Sequence, residues 1–436
     1  MRRIVFFIVA IFFFCLSSFA QNDNKIRQLR DNIAKNDVAT QHPKKSTNVK
    51  TWLDRGKLFY DAYSVNVEYL RFNLPVSEAR LFFREPRQII SGDDGSETFV
   101  YSNIKLIFEN DALRNWEVTN SAADNPLAES FSAYQKARTL DPKGKNERRI
   151  DDAIRVIIND LETKFFNEFY LEKYLDAYNT AIQRIEFSQA SGVTDTIYHF
   201  LAGFAAFTKS SNDDSMWQQA IDKFEAALNI GYRETGDRRG EIYNLLYTAY
   251  KSIGNDEKAL YYAKTGFERH PEYTQLMYDL INYFLERNDN TLALEYLEQA
   301  VARDPNNAIL LFAKGKVLDE LGETEKSIGA YESSIKVDPT YFDPYYNLAV
   351  VHFNQGVRYD ELANEQRIQA EYDRYKNLSD EAFYKAIAPM EKAYELRPSE
   401  ISTVETLRTL YFRLRVKYPE LEAKYDNMRR ILEELQ

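Results

Sequence analysis

The chain is poor in the residues that make turns, bridges and metal sites. It holds one cysteine, four histidines, 15 glycines and 12 prolines in 436 residues. Glycine and proline together reach about half their usual share, so the tight turns of an all-β sandwich or barrel are missing. The single cysteine is Cys15. His42, His199, His270 and His352 fall at no spacing that would let two of them share a zinc ion. No HExxH, GxSxG, GxxxxGK or GxGxxG pattern occurs, so the usual zinc hydrolase, serine hydrolase and nucleotide-binding signatures are absent. Asp93-Asp94-Gly95 lacks the alternating oxygen ligands and closing Glu of a calcium loop and reads as a hairpin turn. Asp151-Asp152 and Asp213-Asp214 are adjacent pairs, which offers nothing to acid–base catalysis. A basic excess is missing too. The net charge is −11, the wrong sign for a nucleic-acid backbone. What is abundant is apolar and aromatic: 44% hydrophobic residues, 31 Tyr and 28 Phe. That is ample for a core, in a chain longer than one compact domain usually grows.

The N-terminus reads as a targeting segment. Arg2 and Arg3 precede the apolar run Ile4 to Leu16, and Ser18-Phe19-Ala20 supplies small residues where a signal peptidase cuts. The expectation is a signal peptide over 1–20, cleaved after Ala20, and an exported protein, periplasmic or secreted. Phe12-Phe13-Phe14 ahead of Cys15 argue against a lipoprotein. Removal of the segment takes away the cysteine and two arginines, leaving a charge of −13 and no possible disulfide. No later run is long and apolar enough to cross a bilayer.

The rest is repetitive. Pro271, Pro305 and Pro339 lie 34 residues apart. Five residues before each stands Gly266, Ala300 or Ser334; eight before, Ala263, Leu297 or Tyr331; twelve before, Ala259, Ala293 or Ser327. Upstream sit Tyr243, Met277 and Leu311, then Leu246, Leu280 and Lys314, then Tyr250, Phe284 and Leu318. Gly254-Asn255-Asp256, Asn288-Asp289-Asn290 and Gly322-Glu323 mark turns inside the units. This pattern resembles the tetratricopeptide (TPR) repeat, a helix–turn–helix unit, and specifically the exported bacterial TPR proteins. Small residues let two helices approach, large ones fill the gaps between units, and the proline sits in a connection or first turn. A unit cannot bury its apolar face alone, so several must stack. The implied fold is all-α: a right-handed TPR α-solenoid of about eight helix pairs, with a small antiparallel β insertion near the N-terminus.

Departures from the 34-residue register give the organisation. An N-terminal helical segment is expected over 21–48. The first unit spans 49–148, with Trp52, Gly56 and Phe59 in one helix and Ser130, Tyr134, Ala137 and Pro142 closing the other. The interruption at 64–124 is rich in β-formers. The runs Arg80 to Ile90, Thr98 to Phe108 and Leu113 to Val118 predict a three-stranded sheet of two hairpins, turning at Ser91–Ser96 and Glu109–Asp111. Divergent units follow over 149–239 and regular ones over 240–341. Residues 342–400 form a unit with a charged, helix-prone insertion (354–379) read as a projecting, lengthened helix pair. Residues 401–436 close the chain as capping helices.

The resemblance also indicates where a partner binds. In TPR proteins, positions 2, 5, 9 and 12 of each first helix line a concave groove. Position 5 is Asn244, Tyr278, Phe312 and Tyr346, and position 9 is Thr248, Asn282, Lys316 and Val350. Position 12 is Lys251, Leu285, Asp319 and Phe353. The aromatics either form a binding ladder or pack between repeats. Clamping of a C-terminal carboxylate is disfavoured, because these positions are largely aromatic, neutral or acidic. The resulting expectation is a non-catalytic scaffold or adaptor in the periplasm or cell envelope, holding a peptide or partner helix, with no cofactor, metal or nucleic acid. The alternative is an envelope protein that binds glycan or peptidoglycan, since aromatic faces suit sugars as well.

Overall fold

The computed structural model describes residues 23–83 and 85–435. The signal-peptide expectation for residues 1–20 lies outside them. The chain forms two compact units. The first takes the described residues up to Thr235 together with Thr248–Asn255. The second takes Gly236–Tyr247 and the described residues from Asp256 onward.

In the first unit, helix α1 (23–41) packs through Ile26 against Ala62 and Ala122. Helix α2 (Val49–Val67) pairs with α4 (Pro126–Thr139). Between them lie α3 (Val76–Phe83) and strands β1 (Gln88–Ser91), β2 (Glu97–Val100), β3 (Ile104–Glu109) and β4 (Ala112–Val118). Then come α5 (Glu147–Tyr170) with α6 (Tyr174–Ala190), and α7 (Thr196–Ser210) with α8 (Met216–Asn229). Helix α9 (Glu241–Ser252) is divided between the units. The second unit continues with α10 (Asp256–Arg269), α11 (Thr274–Leu285), α12 (Asn290–Arg303), α13 (Ala308–Glu320) and α14 (Thr324–Val337). It closes with α15 (Phe342–Asn364), α16 (Gln369–Leu396), α17 (Ile401–Leu414) and α18 (Leu421–Leu435).

One local device recurs in the helix pairs. A glycine in the first helix faces an aromatic ring of the second so closely that a Cβ would stand 2.7 Å from Tyr134 at Gly56 and 2.7 Å from Tyr331 at Gly315. The same holds at 2.6 Å from Phe224 at Gly203 and 2.8 Å from Phe383 at Gly356. Four residues before the ring, a buried serine donates to the glycine's carbonyl: Ser130 to Gly56 at 2.7 Å, Ser327 to Gly315 and Ser379 to Gly356 at 2.8 Å. At the Gly203 pair that position is Ala220. Absence of a side chain on one helix therefore admits a large one from the other, and each buried ring contributes roughly 1.5–3 kcal/mol. Between α11 and α12 Asn288 takes φ 54, and between α13 and α14 Gly322 takes φ +75, the left-handed geometry that ends a helix.

The insertion differs in detail from the sequence expectation. The sheet has four strands in the order β1-β2-β3-β4, all antiparallel, not three. Residues 80–83 are helical. Ala79 is buried and Phe83 packs on the sheet, so the apolar residues of this segment follow a helical spacing, and Pro86 closes the helix. The run 98–108 breaks into β2 and β3 because Tyr101 N–H bonds Ile104 C=O at 2.9 Å across Ser102-Asn103, a turn with no glycine to announce it. The other two turns fall where expected, with Gly95 at φ 81 and Asn110 and Asp111 at φ 51 and 61. Strand β3 alternates buried and half-buried residues, and Leu74, Phe99, Ile104, Leu106, Phe108, Leu113 and Trp116 form a separate small core.

In the second unit, α15 and α16 run to 23 and 28 residues, so the charged segment near 354–379 extends both helices and turns at 365–368. Asp360 ties this region together. It accepts from Lys376 Nζ at 2.6 Å and Arg413 of α17 at 2.7 Å, and competes with Gly356 C=O for the single Ser379 hydroxyl proton, with both acceptors at 2.8 Å. Burial alone would raise its pKa; the hydrogen bonds from Lys376, Ser379 and Arg413, with the Lys376 charge, more than offset that and hold the carboxyl below its usual range. Among the described residues no helix is long and apolar enough to cross a membrane.

Candidate functional site

The residues singled out from the repeat register sit in different environments. Asn244 of α9 donates its side-chain amide to the Asp279 carboxylate on α11, so it joins neighbouring repeats. Gln275 donates to the same carboxylate at 3.0 Å. Thr248 is half-buried, and its carbonyl accepts from Ser252 Oγ at 2.9 Å. Phe312 of α13 packs edge-on against Tyr341 at 5.4 Å and lies 5.8 Å from Tyr331, against the core of Tyr331, Leu348 and Val351. Tyr346 stacks on Phe342 at 5.8 Å, and both Tyr346 and Val350 pack on the C-terminal core. Packing within the protein therefore accounts for two of the three aromatic rings, Phe312 against Tyr341 at the next connection and Tyr346 against its own helix and the C-terminal core. The third, Tyr278 of α11, is half-buried.

The polar members are different. Asn282 and Lys316 stand at the same position of α11 and α13 and are both exposed. Neither side chain has a hydrogen bond or ion pair among the described residues. Asp319, one turn beyond Lys316, has its carboxyl pushed up by burial and then by the nearby Glu320.

His199 is buried, and its pKa is lowered by burial first and by Lys223 second. His352 is lowered chiefly by burial and meets Gln355 Oε1 at 3.2 Å through Nδ1. His270 packs against the Tyr243 ring at 5.7 Å at a repeat junction.

The sequence reading missed a second site, a two-lobed cleft in the first unit. Asn167 of α5 holds strand β4 there. Its amide donates to Trp116 C=O at 2.8 Å and accepts from Trp116 N–H at 2.9 Å, as a neighbouring strand would. Lys173 adds a 2.7 Å bond to Glu117. Beside this seam, one lobe of about 210 Å³ lies among Tyr63, Asp124, Asn125, Asp176, Asn179 and Gln183. The other, about 190 Å³, lies against Val67, Val118 and Leu171. Both share Tyr63, Lys164, Glu168 and Asp176. Lys164 and Glu168 pair with each other and close a triangle through the Thr180 hydroxyl, at 2.6 Å from each. No repeat position marks these residues, because those on α2, α5 and α6 belong to an interrupted unit and a divergent one, and the strand that walls the cleft lies outside the register.

Comparison with known proteins agrees with the helix pairs. A family model described as TPR repeat matches residues 315–356, from the Gly315 lock into α15. No curated protein matches the chain. Among solved structures, a MamA protein is 18% identical, covering 45% of this chain and 90% of its own, with a TM-score of 0.33. MamA from residue 41 to its end, from Desulfovibrio magneticus RS-1, is 20% identical over 46% of this chain and 97% of its own, with a TM-score of 0.33. The C-terminal part of a TPR repeat-containing protein from Cytophaga hutchinsonii is 12% identical over 64% of this chain and 95% of its own, with a TM-score of 0.40. Scores of that size leave the assignment resting on the matched repeat and the helix pairs themselves. The chain thus carries a TPR repeat at 315–356, within a succession of helix pairs of the kind that mediates protein–protein interaction.

Proposed function

We propose that this protein is an exported, non-catalytic scaffold of the periplasm or cell envelope. It holds an extended peptide or a helix of a partner protein on the first-helix face of its regular repeats. The observation that carries the reading is the pair Asn282 and Lys316, exposed at equivalent positions of successive first helices and without a hydrogen bond or ion pair among the described residues. Such groups satisfy no partner within the protein, while an amide and an ammonium at equivalent positions of successive first helices suit a partner's backbone or carboxylate. Half-buried Tyr278 adds apolar area beside them. Export rests on Arg2, Arg3 and the apolar run that follows.

The test is crosslinking in cells with mass spectrometry, comparing wild type with Asn282→Asp/Lys316→Glu. These exposed positions can change without disturbing the fold, whereas Phe312→Ala and Tyr346→Ala would hollow the core. Envelope proteins captured by wild type and lost in the variant are the expected result. An unchanged set of partners would sink the first-helix reading. Recovery of the protein from the cytoplasm with residues 1–20 intact would sink the export.

A further inference from the structure

The two-lobed cleft of the first unit has an excess of acceptors, and its geometry points to a ligand. We infer that it binds a basic side chain, an arginine or lysine, presented by an extended segment of a partner protein. This site is separate from the first-helix face and does not depend on it.

Charge gives the first argument. Of the carboxylates lining the cleft, Glu168 is paired with Lys164 and Glu117 with Lys173 and Lys105. Asp124 and Asp176 have no ion pair or hydrogen bond from a side chain among the described residues. Both are exposed at the mouth of the lobe, where negative side chains (Asp124, Glu168 and Asp176) outnumber the one positive (Lys164), which favours a cationic ligand over an anionic one. Asp176 lies in the first turn of α6 and Asp124 just before α4, where the helix dipole favours a carboxylate. That local stabilisation explains their tolerance in the free protein and leaves their outward lone pairs open.

Unmet hydrogen-bonding capacity is the second argument. Gln183 Oε1 is a buried acceptor with no donor. Half-buried Tyr63 lines both lobes and presents a hydroxyl with no hydrogen-bond partner among the described residues. Buried polar groups are rarely left unpaired without a reason. A guanidinium or ammonium group donates to several acceptors at once and matches this set.

The second lobe fixes the form of the ligand. Val67, Val118 and Leu171 make it more apolar, and it adjoins the first lobe through Tyr63. Val118 is two residues beyond Trp116 on β4, so its main chain faces the same outer edge that Asn167 occupies at Trp116. An extended segment would thus place a basic side chain in one lobe and an apolar neighbour in the other, alongside a short stretch of free strand edge.

The experiment titrates the whole protein with fluorescein-labelled heptapeptides, Ser-Ser-Arg-Val-Ser-Ser-Ser and the same peptide with citrulline or Glu in place of Arg. It is read by anisotropy and saturation-transfer NMR. The Arg peptide should bind at least about tenfold tighter than its neutral citrulline isostere, as expected for a charged contact, and the Glu peptide should not bind. Asp124→Asn/Asp176→Asn should remove that preference, and Tyr63→Phe should weaken the Arg peptide about threefold. Asn282→Asp/Lys316→Glu should leave it unchanged, which separates this site from the first-helix face. Equal binding of Arg and citrulline peptides, absence of binding, or full affinity in the double Asp variant would overturn the proposal. Binding of chitotetraose abolished by the double Asp variant would overturn it in favour of a glycan.

Discussion

Gly56 and Gly315 meet the same partners in two settings. Each admits an aromatic ring from the facing helix and each receives a serine hydroxyl on its carbonyl. At Gly315 the serine is 12 residues away, across one turn; at Gly56 it is 74 away, across a folded insertion. Closing the longer loop costs roughly 1.5 kcal/mol more in chain entropy. That is comparable to one good hydrogen bond or part of a buried ring, so the pair can absorb it. The insertion also folds on its own core of Leu74, Phe99, Leu106 and Trp116, which brings the two helices' ends back together. An α-helical repeat therefore tolerates a β module in its turn when the lock residues on either side are kept.

The comparison can be broken at its tightest point. Gly315→Leu should cost about 3 kcal/mol, since Tyr331 is fully buried and cannot retreat. Gly56→Leu should cost a similar amount, read by urea denaturation. An unaltered midpoint in either variant would show that the helix pairing is wrong. A smaller effect, about 2 kcal/mol, is expected for Asn167→Ala, which strands the N–H and C=O of Trp116. Hydrogen exchange should then quicken in β4 while α2 and α4 keep their protection. Loss of protection in α2 and α4 as well would mean that the insertion is not a separable module.

Asp360→Asn should remove about 1–2 kcal/mol from the second unit and nothing from the first. The pH dependence has a defined sign. The folded-state pKa of Asp360 is lowered, so its contribution is present above the unfolded value near about 3.9 and is lost as pH falls through the folded value. The gap between wild type and variant should close in acid, and a gap independent of pH would contradict the ion-pair account. The smallest effects are those of Ser130→Ala and Ser327→Ala, about 1 kcal/mol each. Equal values would show that the lock is purely local. A clearly larger loss at Ser130 would show that the insertion strains its repeat.

The candidate first-helix residues show where sequence reading stops. The register identifies Asn244, Tyr278, Phe312 and Tyr346 as equivalent, yet their neighbours make them different. Asn244 bonds Asp279, Phe312 lies under Tyr341, and Tyr346 lies on Phe342. Equivalent backbone positions share a direction, whereas side-chain exposure depends on what each site's own surroundings supply, the next repeat for Asn244 and Phe312 and the same helix for Tyr346. The β insertion shows the same limit. Its Gly-rich and Asn-Asp turns were legible, but the Ser102-Asn103 turn and the short helix that sets Ala79 and Phe83 on the sheet needed the sheet itself.

By itself the sequence determined the helix pairs. Small residue, turn and aromatic recur at short separations, and contacts between residues so close in the chain are dictated by periodicity and excluded volume. Only the tertiary structure decided how the insertion docks. Trp116 and Asn167 lie 51 residues apart and pair through main chain on one side and an amide on the other. The two-lobed cleft beside them exists because of that contact. A single unrepeated long-range bond leaves no periodic mark, and its partners are chosen by the packing of the whole unit.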